Sequence, residues 1–213
     1  QYQADPGALT DVLDHWVRFA TQPLEQSQMA ERVVEVLRPA SMVDDFNRAS
    51  AQVRAESGLA PMPLLSRAVA GDLVQVLVFD GAETIQYANE EALSEVGLTP
   101  DAAWSIAPTN LPARLGELEL LGMGGADRLV VITGGNGLAP STLLQPDTCT
   151  GGFASFVFLL VDRNAVVAGE RADELAMLQL KALLEEVRRD PQPMSTTPIT
   201  CHQGRVVEHH LTD

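Results

Sequence analysis

Near Pro61 and Pro63 the spacing of apolar residues changes from every third or fourth position to short runs of Val, Leu and Ile. A helix buries one face at a period of 3.6 residues and a strand alternates at a period of two, so this change marks a hand-over from helices to sheet. Ahead of it, Asp5-Pro6 sets a capping side chain before a proline at the first helical position, and Leu9, Leu13, Trp16, Val17 and Ala20 follow at helical spacing up to Pro23. The period continues through Met29, Val33, Val36 and Leu37, which predicts a second helix over 24–37 that stops before Pro39. Ser41 with Asp44 resembles a capping box, Met42, Phe46, Ala49 and Val53 share one face, and Gly58 suits a left-handed stop, so a third helix follows.

Beyond the prolines, 64–69, 73–79 and 84–88 read as strands, with a hairpin at Asp80-Gly81. Asn89 caps a short helix that carries Glu90 and Glu91 in its first turn, and Thr99-Pro100-Asp101 opens another that Pro108 and Pro112 should shorten or kink. The strand pattern returns over 118–123 and 128–133, and again over 153–161 and 165–168 across the turn Asp162-Arg163-Asn164. A broad stripe of Leu175, Met177, Leu178, Leu180, Leu184 and Val187 makes 172–189 the strongest helix, and a weaker strand pair over 199–201 and 205–208 turns at Gln203-Gly204. These elements predict an α+β fold: N-terminal helices, then a mixed, largely antiparallel sheet with a long C-terminal helix packed on it. The chain divides into a helical segment over 1–58 and a sheet domain over 59–213, or forms one compact unit.

Charge narrows the partners. Twenty-nine acidic residues against fourteen basic ones leave −15, which repels a phosphate backbone, so nucleic acid is not an expected partner. No run approaches the roughly 18 apolar residues of a membrane helix, since 153–161 is of strand length. Without a basic stretch leading into an apolar one at the N-terminus, the expected location is the cytoplasm. Cys149 and Cys201 allow an optional bridge but not a disulfide framework, and both read as thiols.

The most suggestive stretch for chemistry is Thr133-Gly134-Gly135-Asn136-Gly137 ahead of Ser141-Thr142. A Gly-rich loop after a strand can turn backbone amides toward an anion, with Arg163 as a cationic partner. No Lys precedes Ser141, so this is not a P-loop, and the third Gly of a dinucleotide fingerprint is absent. No cofactor is implied, and a glycine turn that reverses the chain asks less of the sequence. His15, His202, His209 and His210 fall in none of the spacings that hold a metal, so no metal is expected. Ser155 is not in a nucleophile elbow, and Asp44-Asp45, Glu90-Glu91 and Glu185-Glu186 adjoin helix faces where solvation explains them.

Taken in order, several segments resemble the YtpQ family of bacterial proteins. They are Gly71-Asp72-Leu73; Ile85-Gln86-Tyr87 with Asn89 and Leu93; Ala107 with Asn110-Leu111; Thr133-Gly134-Gly135-Asn136 with Ser141 and Leu143-Leu144; Val161-Asp162-Arg163-Asn164 before Ala165-Val166-Val167; and Pro193-Met194-Ser195. The resemblance spans most of 24–207 and departs from the family at Asn164, where an acid is usual. It implies a cytoplasmic α+β protein and brings no activity, cofactor or catalytic residue with it.

Two functions remain from these readings. The first is a noncatalytic binding or protein-interaction domain, since an acidic surface and apolar strands need no active site. The second is an enzyme or sensor for a small molecule or anion, using Gly134, Gly135, Asn136, Ser141, Thr142 and Arg163. An uncovered edge of an antiparallel sheet would also allow pairing with a second copy.

Overall fold

The computed structural model describes residues 26–81, 85–123, 128–134 and 137–211. The helix expected over 5–23 lies outside them. A short helix α1 (Gln26–Ala30) leads into strand β1 (Val33–Pro39), helix α2 (Ala40–Glu56) and strands β2 (Ser66–Ala70), β3 (Leu73–Asp80) and β4 (Ile85–Tyr87). Helices α3 (Glu90–Glu95) and α4 (Pro100–Leu115) follow, then β5 (Leu118–Met123), β6 (Leu129–Gly134) and a 3-10 segment at Ala139–Leu144. Strands β7 (Phe156–Asp162) and β8 (Ala165–Glu170), helix α5 (Glu174–Val187) and strands β9 (Ile199–His202) and β10 (Arg205–Glu208) complete the described chain.

The strands form two sheets rather than the single mixed sheet expected. The first has the order β1-β3-β2, with β4 also paired to β3, and the second runs β10-β9-β7-β8-β6-β5. Every pairing among the described residues is antiparallel. The long C-terminal helix is not present either: α5 has 14 residues and is followed by β9 and β10. Pro191 and Pro193 stop the helical pattern there, and the chain returns beside β7.

The second helix expected over 24–37 is replaced by α1 and strand β1. Val33, Val34, Val36 and Leu37 are all fully buried, so β1 is covered on both faces. A strand of that kind shows a continuous apolar run instead of alternation, which periodicity cannot separate from a helix, and β-branched Val favours the pleated form. Its register against β3, from Val33 opposite Phe79 to Pro39 opposite Leu73, fixes which residues face which core. Helix α2 starts directly after Pro39 with no side-chain cap, so the box of Ser41 and Asp44 is not formed. Asn89 and Thr99 do cap, accepting from the amides of Ala92 and Ala102. Pro108 and Pro112 lie inside α4, which continues for 16 residues.

The two sheets share a core in which Leu37 and Leu73 of the first meet Ile132, Phe158, Leu160 and Val166 of the second. On the other face of the second sheet, Ala176, Leu180, Leu184 and Val187 of α5 pack on Leu129, Val157, Leu159 and Val167. Cys149 and Cys201, read as thiols, form a disulfide with a Cα–Cα distance of 5.2 Å at the edge of the shared core. The two are 52 positions apart, and a turn-rich stretch after the 3-10 segment brings Cys149 back onto β9. Sequence spacing carries no information about such a tertiary approach.

Candidate functional site

The described part of the Gly-rich stretch ends β6, and its two described glycines sit in close packing. Gly134 has φ +84, and a Cβ there would stand 2.7 Å from the Glu117 carbonyl oxygen, so the close approach of the preceding strand requires glycine. Gly135 and Asn136 lie outside the described residues. Gly137, with φ +79, abuts the Asn164 side chain, and the Thr133 hydroxyl donates to the Asn164 carbonyl at 3.2 Å. The loop and the turn that carries Arg163 therefore meet at one end of the second sheet, where the Arg163 side chain is exposed.

Ser141 and Thr142 do not join them. Ser141 is fully buried, and its Oγ accepts the amide of Leu37 on β1 at 3.2 Å. The Thr142 hydroxyl donates to the Ala139 carbonyl at 2.7 Å, and the Thr142 carbonyl accepts the Thr148 hydroxyl at 2.6 Å. These polar atoms close the 3-10 segment onto itself and onto β1.

Ser141 belongs to a second pattern, the treatment of sheet edges. An edge strand leaves every other residue's N–H and C=O without a ladder partner, and proteins cover, charge or bend such edges. On β1 some of the outward groups are answered: Asn110 of α4 donates its side-chain amide to the carbonyl of Val33 at 2.8 Å and to that of Ala30, at the end of α1, at 2.9 Å, and Ser141 takes the Leu37 amide. At one margin of the second sheet, β10 begins with exposed Arg205 and ends with exposed Glu208.

The opposite margin is different. Residues 117–122 are all exposed, and β5 is the terminal strand. Leu118, Leu120 and Leu121 are 40%, 59% and 52% exposed, so this edge is apolar on both faces. Leu121 pairs with Val131 and shares the face covered by α5, whereas Leu120 pairs with Ile132, whose own side chain is buried in the core between the sheets. On α5 itself, Leu175 and Leu178 are exposed as well. Consecutive Leu120-Leu121 is the signal in the sequence that alternation fails here; without strand order, it reads as an ordinary hairpin strand.

Ionisable groups with shifted titration are dispersed over several elements. Burial pushes the Glu35 carboxyl on β1 up to about 7, with the Arg67 charge opposing. The Arg67 guanidinium lies 4.2 Å from the centre of the Trp104 ring. Burial also raises Asp80 at the end of β3, against the charges of Arg114 and Arg32. Buried Arg38 is engaged, donating from Nε to the Tyr87 hydroxyl at 2.8 Å and from a terminal nitrogen to the Leu37 carbonyl at 2.7 Å. Among the described residues no group of three His, Cys, Asp or Glu side chains could hold a metal ion. Nor is any described helix long and apolar enough to cross a membrane.

Fold and edges together define, among the described residues, an α+β arrangement of two antiparallel sheets in which β5 is a terminal strand with exposed leucines. Set against known protein families, characterised proteins and solved structures, the chain shows no match.

Proposed function

We propose that this chain is a noncatalytic protein-interaction domain that receives an extended segment of a partner protein along β5. The observation that carries this reading is the contrast between edges: β1 is capped by Asn110 and Ser141, β10 bears charges at both ends, and β5 presents three exposed leucines. Strand addition draws affinity from main-chain hydrogen bonds and specificity from alternate side chains. The favoured occupant is an apolar segment with basic residues, because exposed Glu117 and Glu119 alternate with Leu118 and Leu120 and the chain as a whole carries −15. That same charge opposes pairing with a second copy. Kinship with the YtpQ family, proposed on the order of sequence segments alone, is compatible with such a role and adds no activity to it.

For location, the disulfide weighs against the cytoplasmic expectation. A bridge between Cys149 and Cys201 persists in an oxidising compartment and is rare where thiol reductants act.

The test is to screen the intact chain against a library of extended peptides and to follow amide exchange in β5. The expected result is saturable binding of apolar, basic peptides with slowed exchange in β5, abolished by Leu120→Lys. No binding peptide, or binding that survives Leu120→Lys, would remove the proposal. A dimer in sedimentation equilibrium that Leu120→Lys dissociates would replace the partner protein with a second copy.

A further inference from the structure

Arg38 stands near the end of β1 and is 6% exposed, so its charge is largely withdrawn from water. Nε donates to the Tyr87 hydroxyl and Nη1 to the Leu37 carbonyl, both neutral acceptors, and the guanidinium carbon lies 6.0 Å from the centre of the Tyr87 ring. Among the described residues no carboxylate comes within ion-pair distance of it, although the chain has 29 acids. Glu35 belongs to the other face of β1, exposed Asp45 on α2 is paired with Arg48, and the Asp72 carboxylate is taken by Ser195 and Thr196. A buried cation is costly unless a counter-charge answers it. Nη2 has no partner among the described residues and is not enclosed, so the outer edge of the guanidinium is open. We infer that Arg38 and Tyr87 form a subsite for a carboxylate carried by an apolar group. The inference stands independently of the β5 reading.

Tyr87 supplies the second donor. Its oxygen accepts from Arg38, and its own hydrogen is directed to the Met42 sulfur at 3.6 Å, a weak acceptor that a carboxylate oxygen outcompetes. The hydroxyl and the open edge of the guanidinium thereby serve one carboxylate together, through charge-assisted bonds about twice as strong as neutral ones. The surroundings select the rest of the ligand. Phe46 is 45% exposed, its ring centre lies 6.2 Å from that of Tyr87, and Met42 precedes it by one turn of α2. The stripe continues through exposed Ala49 to Val53, which is 63% exposed, because Val43 is the residue that α2 buries. An apolar group attached to the carboxylate covers Met42 and Phe46 and removes their surface from water. A phosphate or polycarboxylate is disfavoured, since it would lose hydration against these side chains and is repelled more strongly by the net −15. Two sources share the favoured chemistry: a free monocarboxylic acid, and the C-terminal carboxylate of a peptide that ends in an apolar residue.

The experiment is an NMR titration of the intact chain labelled in its methionine methyl groups, following the Met42 signal. The probes are hexanoate and an acetylated peptide ending in Leu-Leu with a free carboxyl, each set against its uncharged counterpart, hexanol or the peptide amide. The expected result is a saturable shift with at least one of the carboxylates and none with the uncharged counterparts. Tyr87→Phe keeps the ring and removes the hydroxyl, and should weaken binding about tenfold. Arg38→Gln should abolish it and Phe46→Ser should weaken it, whereas Arg163→Gln, at the exposed turn between β7 and β8, should leave it unchanged. Tyr87→Phe and Phe46→Ser leave the buried arginine in place, so they decide the matter even where Arg38→Gln does not fold. The tighter of the two carboxylates identifies the source, free acid or peptide terminus. The inference is overturned if neither carboxylate saturates at millimolar concentration, if hexanol or the amide shifts Met42 equally, or if Tyr87→Phe binds as the parent does.

Discussion

Ser195 donates its hydroxyl to the Asp72 carboxylate at 2.5 Å, joining the turn between β2 and β3 to the stretch that leads into β9, 123 positions away. The same carboxylate accepts the Thr196 amide at 2.8 Å and the Thr196 hydroxyl at 3.1 Å. Gly71 has φ +55, and a side chain there would collide with Thr197, so the turn has the shape that brings Asp72 within reach. This polar junction connects the two sheets where their shared apolar core ends.

Loss of the carboxylate should therefore weaken the whole domain. Hydrogen bonds to a charged group contribute about 1.5–3 kcal/mol each, and Asp72→Ala leaves the single Ser195 hydroxyl hydrogen only the Thr197 carbonyl, at 3.0 Å, as an alternative acceptor. Asp72→Ala is expected to lower stability by about 2–4 kcal/mol in urea denaturation. Because the two residues act as one unit, Asp72→Ala/Ser195→Ala should cost less than the sum of the single changes. Strict additivity would show that the junction is not shared.

Ser141 offers a sharper discrimination between a packing role and a ligand-binding one. Its hydroxyl is fully buried against the Leu37 amide, so Ser141→Ala strands a backbone donor at the edge of β1. The expected loss is about 1–3 kcal/mol of stability, and amide exchange at Leu37 should quicken. A stability equal to the parent's would mean that the amide finds another partner.

Glu35 makes stability depend on pH with a defined sign. Burial raises its carboxyl from 4.5 to about 7, with Arg67 opposing. Between those values the folded chain holds a proton that the unfolded chain releases, so this contribution is fully present below 4.5 and is lost as pH rises through about 7. Glu35→Gln should equal the parent near pH 4.5 and exceed it by about 2 kcal/mol at pH 8, after allowing for screening by solvent. Asp80 is raised too, so the informative quantity is the difference between the two proteins across the range. A difference that stays flat from acid to base would refute the assignment.

The open edge of β5 leads to the opposite expectation for stability. Leu120 and Leu121 are more than half exposed, and surface changes of this kind shift stability by less than about 0.5 kcal/mol. Leu120→Lys and Leu121→Lys should keep the parent's denaturation midpoint while raising the concentration at which the chain self-associates or precipitates. A marked fall in midpoint would mean that β5 is structural in the free chain.

Much of this fold is legible along the chain wherever a local cause is sufficient. Asn89 and Thr99 cap helices because their side-chain oxygens reach amides three residues on, and Asp162-Arg163-Asn164 turns β7 into β8. Local causes fail for β1, where Val33 to Leu37 are buried from both sides and their pattern imitates a helix. They fail again for strand order: nothing in Leu118-Glu119-Leu120-Leu121 states that β5 is terminal while β8 is central. The candidate loop shows the same limit. Gly134 is explained by its neighbour across the hairpin and Ser141 by β1, partners that become visible only when the chain is folded.

The bridge between Cys149 and Cys201 is the long-range link that sequence spacing conceals most completely, and it carries the last prediction. Its two cysteines are 9% and 6% exposed and pack with Leu143, Phe158 and Ile199. Closing a loop of 52 positions restricts the unfolded chain, a contribution of about 2–4 kcal/mol for typical bridges. In the native state the sulfurs should resist mild reductant because of their burial, so loss of the bond should follow global or local opening. Cys149→Ala/Cys201→Ala is therefore expected to fold with the same strand pattern but to denature at lower urea concentration. The parent, freshly purified without reductant, should show no reactive thiol until it is both unfolded and reduced. Two titratable thiols in the unfolded, unreduced chain would instead return the cysteines to the reduced state and restore the cytoplasmic reading.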